Sequence, residues 1–180
     1  MSVQRLQVVQ QELDAVMTDL DAKEKYDTYY DDLLLVRFLK GVLSREIVVQ
    51  SRYYLVPEQQ ILQMSLTEKQ KRDLEYSKSQ LEYIALQADS LHLDHWILPF
   101  SRYELGTLHI RMGDYDQALN EFSACLAGGY GVEDFGFQKR KVSMEQSLHL
   151  KAHNAINKIQ SIRKLLDKGE ESDDSTNSIQ

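Results

Sequence analysis

The fold class this sequence predicts is all-α, with antiparallel helical hairpins stacked as a short α-solenoid. Three observations predict it. Apolar residues recur at spacings of three and four along most of the chain, the period of one helix face. Only 8 Gly and 2 Pro punctuate 180 residues, too few for a turn-rich β-fold. Between Leu105 and Phe122, small and bulky residues alternate with the spacing of a helix–turn–helix repeat.

The first element is read from Leu6, Val9, Leu13, Val16 and Leu20, whose 3, 4, 3, 4 spacing places them on one stripe. Residues 1–30 are therefore expected to form an N-terminal amphipathic helix. The stripe is too short for a free-standing coiled coil and should pack on its own domain. Asp31 and Asp32 then open a second helical stretch, in which Leu35, Phe38, Leu39 and Val42 are expected to be buried and Gly41 to allow a close helix crossing. The adjacent carboxylates do not face one another on a helix, so they are read as favouring the helix dipole rather than as a catalytic pair.

Val56 precedes Pro57 and is pushed out of the helical region, so a boundary is expected near Ser51–Pro57. Glu58–Leu91 reads as one long helix, or two broken near Ser65–Thr67, with Leu74, Ser77, Leu81, Ile84, Ala88 and Leu91 inward. Further on, Gly128-Gly129-Tyr130-Gly131 lacks the strand and the Lys-Ser/Thr of a phosphate loop and reads as a helix stop. Ser143 and Gln146 have capping-box spacing, and the helix they open should bury Leu148, Ala152, Ala155, Ile159, Ile162 and Leu166. Residues 31–168 make up the helical domain. Residues 169–180 are acidic and nearly devoid of apolar side chains, and are expected to be a disordered tail.

The most specific signal is Leu105-Gly106, Gly113, Tyr115, Ala118 and Phe122, the order and spacing of a tetratricopeptide repeat. Pro99 begins the first helix, where its missing N–H is not needed. Leu105 fills the space between helices, Gly106 lets them cross, Gly113-Asp114 turn the chain, Ala118 meets the first helix and Phe122 plugs the base. Three positions depart from the signature: Arg102 and His109 replace aromatics, and Tyr130 stands where a closing proline is usual. A second unit is indicated around Gly41, 65 residues before Gly106. One repeat cannot bury its own apolar face, so flanking helices must complete the stack.

The segment Asp94–Gly106, followed by Met144-Glu145, Leu148-His149, Lys151, His153 and Ala155, resembles the C-terminal part of the tetratricopeptide repeat protein 39 family, with the upstream LVRFLKGVL fitting its preceding repeat. The resemblance runs from Leu33 to Ile159. That family also includes the fungal inclusion-body clearance proteins of the mitochondrial outer membrane. It implies a non-catalytic scaffold with no catalytic residues to carry over, a link to protein quality control, and a peripheral place at that membrane. The chain is shorter than typical members.

Several function classes are disfavoured by composition. A formal charge of −7 does not suit a broad nucleic-acid footprint. Apolar runs stop at about four residues against the roughly 20 that a membrane span needs, and no secretory signal is visible, so cytoplasm or a cytoplasm-facing surface is the expected location. The single Cys125 fits a reducing compartment. His92 with His95, and His149 with His153, have helix-face spacing, but no glutamate of the metalloprotease pattern and no second cysteine accompany them, so neither metal nor cofactor is assigned. No nucleophile motif stands out and no enzyme activity is expected.

The resulting expectation is a protein–protein interaction scaffold. Phe100, Tyr103, Thr107 and Arg111, on the first helix of the clear repeat, are the candidate residues for docking a partner peptide or helix. A carboxylate clamp is not expected, because Arg111 alone among them is basic. Two alternatives are a membrane-surface or oligomerisation module using the N-terminal helix, and a small helical metal-dependent hydrolase.

Overall fold

The computed structural model of the chain describes residues 2–23, 26, 28–53, 66–127 and 145–173. Those residues form six α-helices and one short 3-10 turn, Ala88–Ser90, with no strand among them. The helices are α1 (Val3–Ala22), α2 (Tyr29–Tyr53), α3 (Glu68–Leu86), α4 (Ile97–Met112), α5 (Tyr115–Leu126) and α6 (Glu145–Asp173).

Local chemistry sets the ends. The Ser2 hydroxyl accepts from the Arg5 N–H to start α1. Thr67 and Gln70 form a reciprocal capping box at α3, so the break expected near Ser65–Thr67 falls where a helix begins. Gly113 takes the left-handed conformation at φ 83° that ends α4, and Asp114 then caps α5 through the Gln117 N–H at 3.1 Å. Pro99 is the third residue of α4 rather than its first, still within the turn whose N–H groups have no helical acceptor.

Each helix packs against the next in the chain, and α2 with α4 and α4 with α6 also touch. The pairs α2/α3 and α4/α5 are antiparallel. Down the first pair Arg37 meets Gln80, Gly41 meets Leu81 and Val48 meets Leu74; in the second, Arg102 meets Glu121 and Gly106 meets Phe122. A Cβ on Gly41 would lie 2.8 Å from Leu81 Cγ, and one on Gly106 would lie 2.7 Å from the Phe122 ring. Both crossings therefore depend on a missing side chain. The second helices correspond as well: Ser77, Leu81 and Ile84 on α3, and Ala118, Phe122 and Cys125 on α5, are all fully buried.

The core is built of clusters that each join neighbouring helices. Leu34 and Phe38 of α2 join Leu81 and Ile84 of α3 and Ile97 and Leu105 of α4 in one cluster. Ala118, Phe122 and Cys125 of α5 join Leu148, Ala152 and Ile159 of α6 in another. Each fully buried large side chain contributes about 1.5–3 kcal/mol.

Several expected core positions lie elsewhere. Leu39 is 40% exposed and Val16 is 45% exposed. In α1 the inner stripe drifts to Met17, which packs with Leu13 against Leu20 and Leu33, as a straight helix of 3.6 residues per turn must drift from a strict heptad. In α2 three neighbouring helices bury Leu33, Leu34, Val36, Lys40, Leu43, Ser44 and Arg45, so a single inward stripe underestimates the contact. Ala155 and Ile162 are half-buried. α6 runs to Asp173, taking in the first residues of the stretch expected to be tail. The readings for Pro57, Gly128–Gly131, Ser143, the Leu166 side chain and residues 174–180 lie outside the described residues.

Candidate functional site

The contacts α2·α4 and α4·α6 bring the first helices of both pairs and the last helix into one row. On this face Leu35, Leu39, Val42 and Glu46 form a stripe of α2 at spacings of four and three. Leu35 and Val42 pack beside Trp96 and Phe100, while Leu39 keeps much of its surface in solvent. A half-apolar strip thus lies along α2.

The polar part of the face is a charge cluster from three helices. An Arg45 guanidinium nitrogen of α2 donates to the Glu104 carboxylate of α4, and its other terminal nitrogen reaches Glu46 at 2.8 Å. Burial pushes the Glu104 carboxyl above its ordinary range. Arg45 pulls it down, Glu46 pushes it further up, and Lys151 of α6 and Arg111 of α4 pull it down, leaving a net rise. The Nε–H groups of both Arg45 and Arg111 are buried without a hydrogen-bond partner among the described residues. Such groups cost about 1–3 kcal/mol each when unmatched.

The four candidate residues sit on this helix as expected, but each is half-buried rather than fully presented. Phe100 stands edge-on to Trp96, ring centroids 5.7 Å apart. Tyr103 tilts against Phe122 at 5.6 Å. The Thr107 hydroxyl donates to the Tyr103 carbonyl at 3.1 Å. Phe100 and Tyr103 thus spend part of their rings inside the protein, and Arg111 alone of the four contributes to the charge cluster. Arg45, Glu46, Glu104 and Lys151 were not singled out from the sequence.

No protein-family model and no solved structure matches this chain.

Of the departures from the repeat signature, Arg102 has a structural use. Arg102 donates to Glu121 at 2.9 Å, and Arg37 makes the corresponding bond to Gln80 at 3.0 Å. His109 is buried, with Nδ1 3.9 Å from an Asp114 carboxylate oxygen. Asp31, in the first turn of α2, does more than favour the helix dipole. It accepts from the backbone N–H groups of His92, Leu93 and Asp94, at 2.9 Å for the last two, and so ties the α3–α4 connection to α2. Among the described residues no group of three or more His, Cys, Asp or Glu side chains gathers as metal ligands, and no helix is long and apolar enough to cross a membrane.

Proposed function

We propose that this chain is a non-catalytic scaffold of the tetratricopeptide type, whose α2/α4/α6 face holds a segment of a partner protein. The repeat reading is supported by correspondence at side-chain level. Gly41–Leu81 and Arg37–Gln80 in one helix pair occupy the same relative positions as Gly106–Phe122 and Arg102–Glu121 in the next. First helices touching in a row, each followed by its partner, is the arrangement such repeats produce. The resemblance to the tetratricopeptide repeat protein 39 family points the same way, and by analogy suggests quality control at an organelle surface as the setting.

The observation that carries the binding reading is an exposed Leu39 on α2 together with the Arg45 and Arg111 guanidinium groups, whose buried Nε–H groups have no hydrogen-bond partner among the described residues. An amphipathic helix or extended segment with an apolar anchor and a neighbouring carboxylate complements the apolar Leu39 and the positive charge of Arg111. The test is a proximity-labelling comparison in cells between the native chain and a Leu39→Asp/Arg111→Glu variant, with Glu82→Lys on exposed α3 surface as control. Partners lost in the double variant and kept in the control support the face. An unchanged set of partners removes it.

A further inference from the structure

α1, α2 and α3 converge on a polar cavity of about 450 Å³, lined among others by Gln10, Asp14, Ser44, Lys69, Asp73 and Tyr76. That volume lies within the ordinary range of small-ligand sites. On α2, Ser44 lies on the side of the helix opposite Leu35, Leu39 and Val42, so the cavity is separate from the α2/α4/α6 face.

One end of the cavity is neutral. The buried Lys40 ammonium holds the Asp14 carboxylate at 2.6 Å and stands 5.8 Å from the centre of the Tyr76 ring. One turn further along each helix come Gln10, Ser44 and Asp73. Ser44 is only 3% exposed, and its hydroxyl has no hydrogen-bond partner among the described residues. A helical serine often returns its hydroxyl to the carbonyl four residues back, as Ser101 does to Ile97 at 2.8 Å and Ser161 to Asn157 at 2.9 Å. Ser44 does not.

The charges beside it are also unspent. Elsewhere on α3, opposite charges at helix spacing do pair: Lys71 with Glu68 at 2.8 Å and Lys78 with Glu82 at 3.8 Å. Lys69 and Asp73 have the same kind of spacing and border the same cavity, yet neither has an ion-pair partner among the described residues.

We propose that this cavity binds a free amino acid, its ammonium group against Asp73, the Ser44 hydroxyl oxygen and the Gln10 amide oxygen, and its carboxylate toward Lys69. An ammonium has three protons to donate, and those three side chains supply an acceptor for each. The bond to Asp73 is charge-assisted and the strongest of them. A simple anion would meet Asp73, and a simple cation would meet Lys69; a ligand bearing both charges answers both. A water molecule, at about 30 Å³, would reach Ser44 but supplies neither charge.

The test is a nuclear magnetic resonance titration of the full chain with the common amino acids, one at a time, up to about 10 mM, well above a weak millimolar Kd. At least one should shift the amide resonances around Gln10, Ser44 and Asp73 saturably. Its N-acetyl derivative, which lacks the cation, and its methyl ester, which lacks the anion, should each bind about tenfold or more weakly. Asp73→Asn should weaken binding by about tenfold and Ser44→Ala by about fivefold, while Glu82→Lys on the exposed side of α3 leaves it unchanged. Ser44→Ala also removes an unsatisfied buried hydroxyl, so it should keep or raise stability in urea while affinity falls, a combination that a purely structural serine would not give. No saturable shift with any amino acid overturns the proposal, as does an ester or N-acetyl derivative that binds as well as its parent, or an Asp73→Asn variant, folded by circular dichroism, with native affinity. None of these outcomes bears on the partner-binding face.

Discussion

Gly106 of α4 lies against the ring of Phe122 of α5 so closely that a methyl group placed on it would meet three ring carbons at 2.7, 2.8 and 2.9 Å. Gly106→Ala gains helix propensity of about 1 kcal/mol but meets an overpacking cost of about 1–3 kcal/mol against a fully buried ring. A net loss of stability in urea denaturation is expected. In Gly106→Ala/Phe122→Leu the smaller side chain makes room, so the double variant should lose less than the two single losses added together.

Asp31 holds the α3–α4 connection by accepting three backbone N–H groups. Burial alone would raise its carboxyl pKa, but the bonds from Asp94, Leu93 and His92 outweigh burial and hold it below the ordinary 3.8. A folded value below the unfolded one means stability that is present above the ordinary carboxylate range and lost as pH falls through the folded value. Asp31→Asn should therefore cost about 1–3 kcal/mol near neutrality, with the difference from native shrinking in acid, as read from denaturation curves at several pH values.

Arg45 and Glu104 join α2 to α4 in a largely buried ion pair. Arg45→Ala leaves a buried carboxylate whose main attractive partner is gone, and a loss of about 3–5 kcal/mol is expected. The Glu104 carboxyl already sits above its ordinary range through burial and rises further without Arg45. A raised carboxyl pKa favours the folded state as pH falls, so Arg45→Ala should recover part of its deficit on mild acidification. Arg45→Met/Glu104→Leu, which removes both charges, should lose less than Arg45→Ala.

Cys125 is fully enclosed between α5 and α6, and burial pushes its thiol up to about 11. Labelling by a thiol-specific reagent at mildly alkaline pH should be slow in the native state and fast in denaturant. Rapid labelling of native protein would place Cys125 nearer solvent than the packing of α5 on α6 allows.

The helical class was legible because Leu, Ile and Val recur at helix spacing, and the α4/α5 pair was legible because Gly106, Ala118 and Phe122 each have a steric requirement. Gly41 was legible for the same reason. Its partner Leu81 was not, because the chain between α2 and α3 is longer than that between α4 and α5 and nothing in the intervening sequence fixes the register. Leu39 and Val16 were misjudged because hydrophobicity says that a side chain prefers burial, not which neighbour is there to provide it. The Arg45–Glu104 pair, 59 residues apart, depends on α2 lying beside α4 and has no local signature. Asp31 was read from its position at a helix start, whereas its acceptors' partners come from residues 92–94, which only the assembled fold brings near.

The functional reading rests on two helix pairs built alike, and proton–proton contacts in solution test that most directly. Nuclear Overhauser effects should connect the Gly106 Hα protons with the Phe122 ring and, independently, the Gly41 Hα protons with the Leu81 methyl groups. Contacts at Gly106 with none between Gly41 and Leu81 would leave a single repeat and contradict the stacked arrangement.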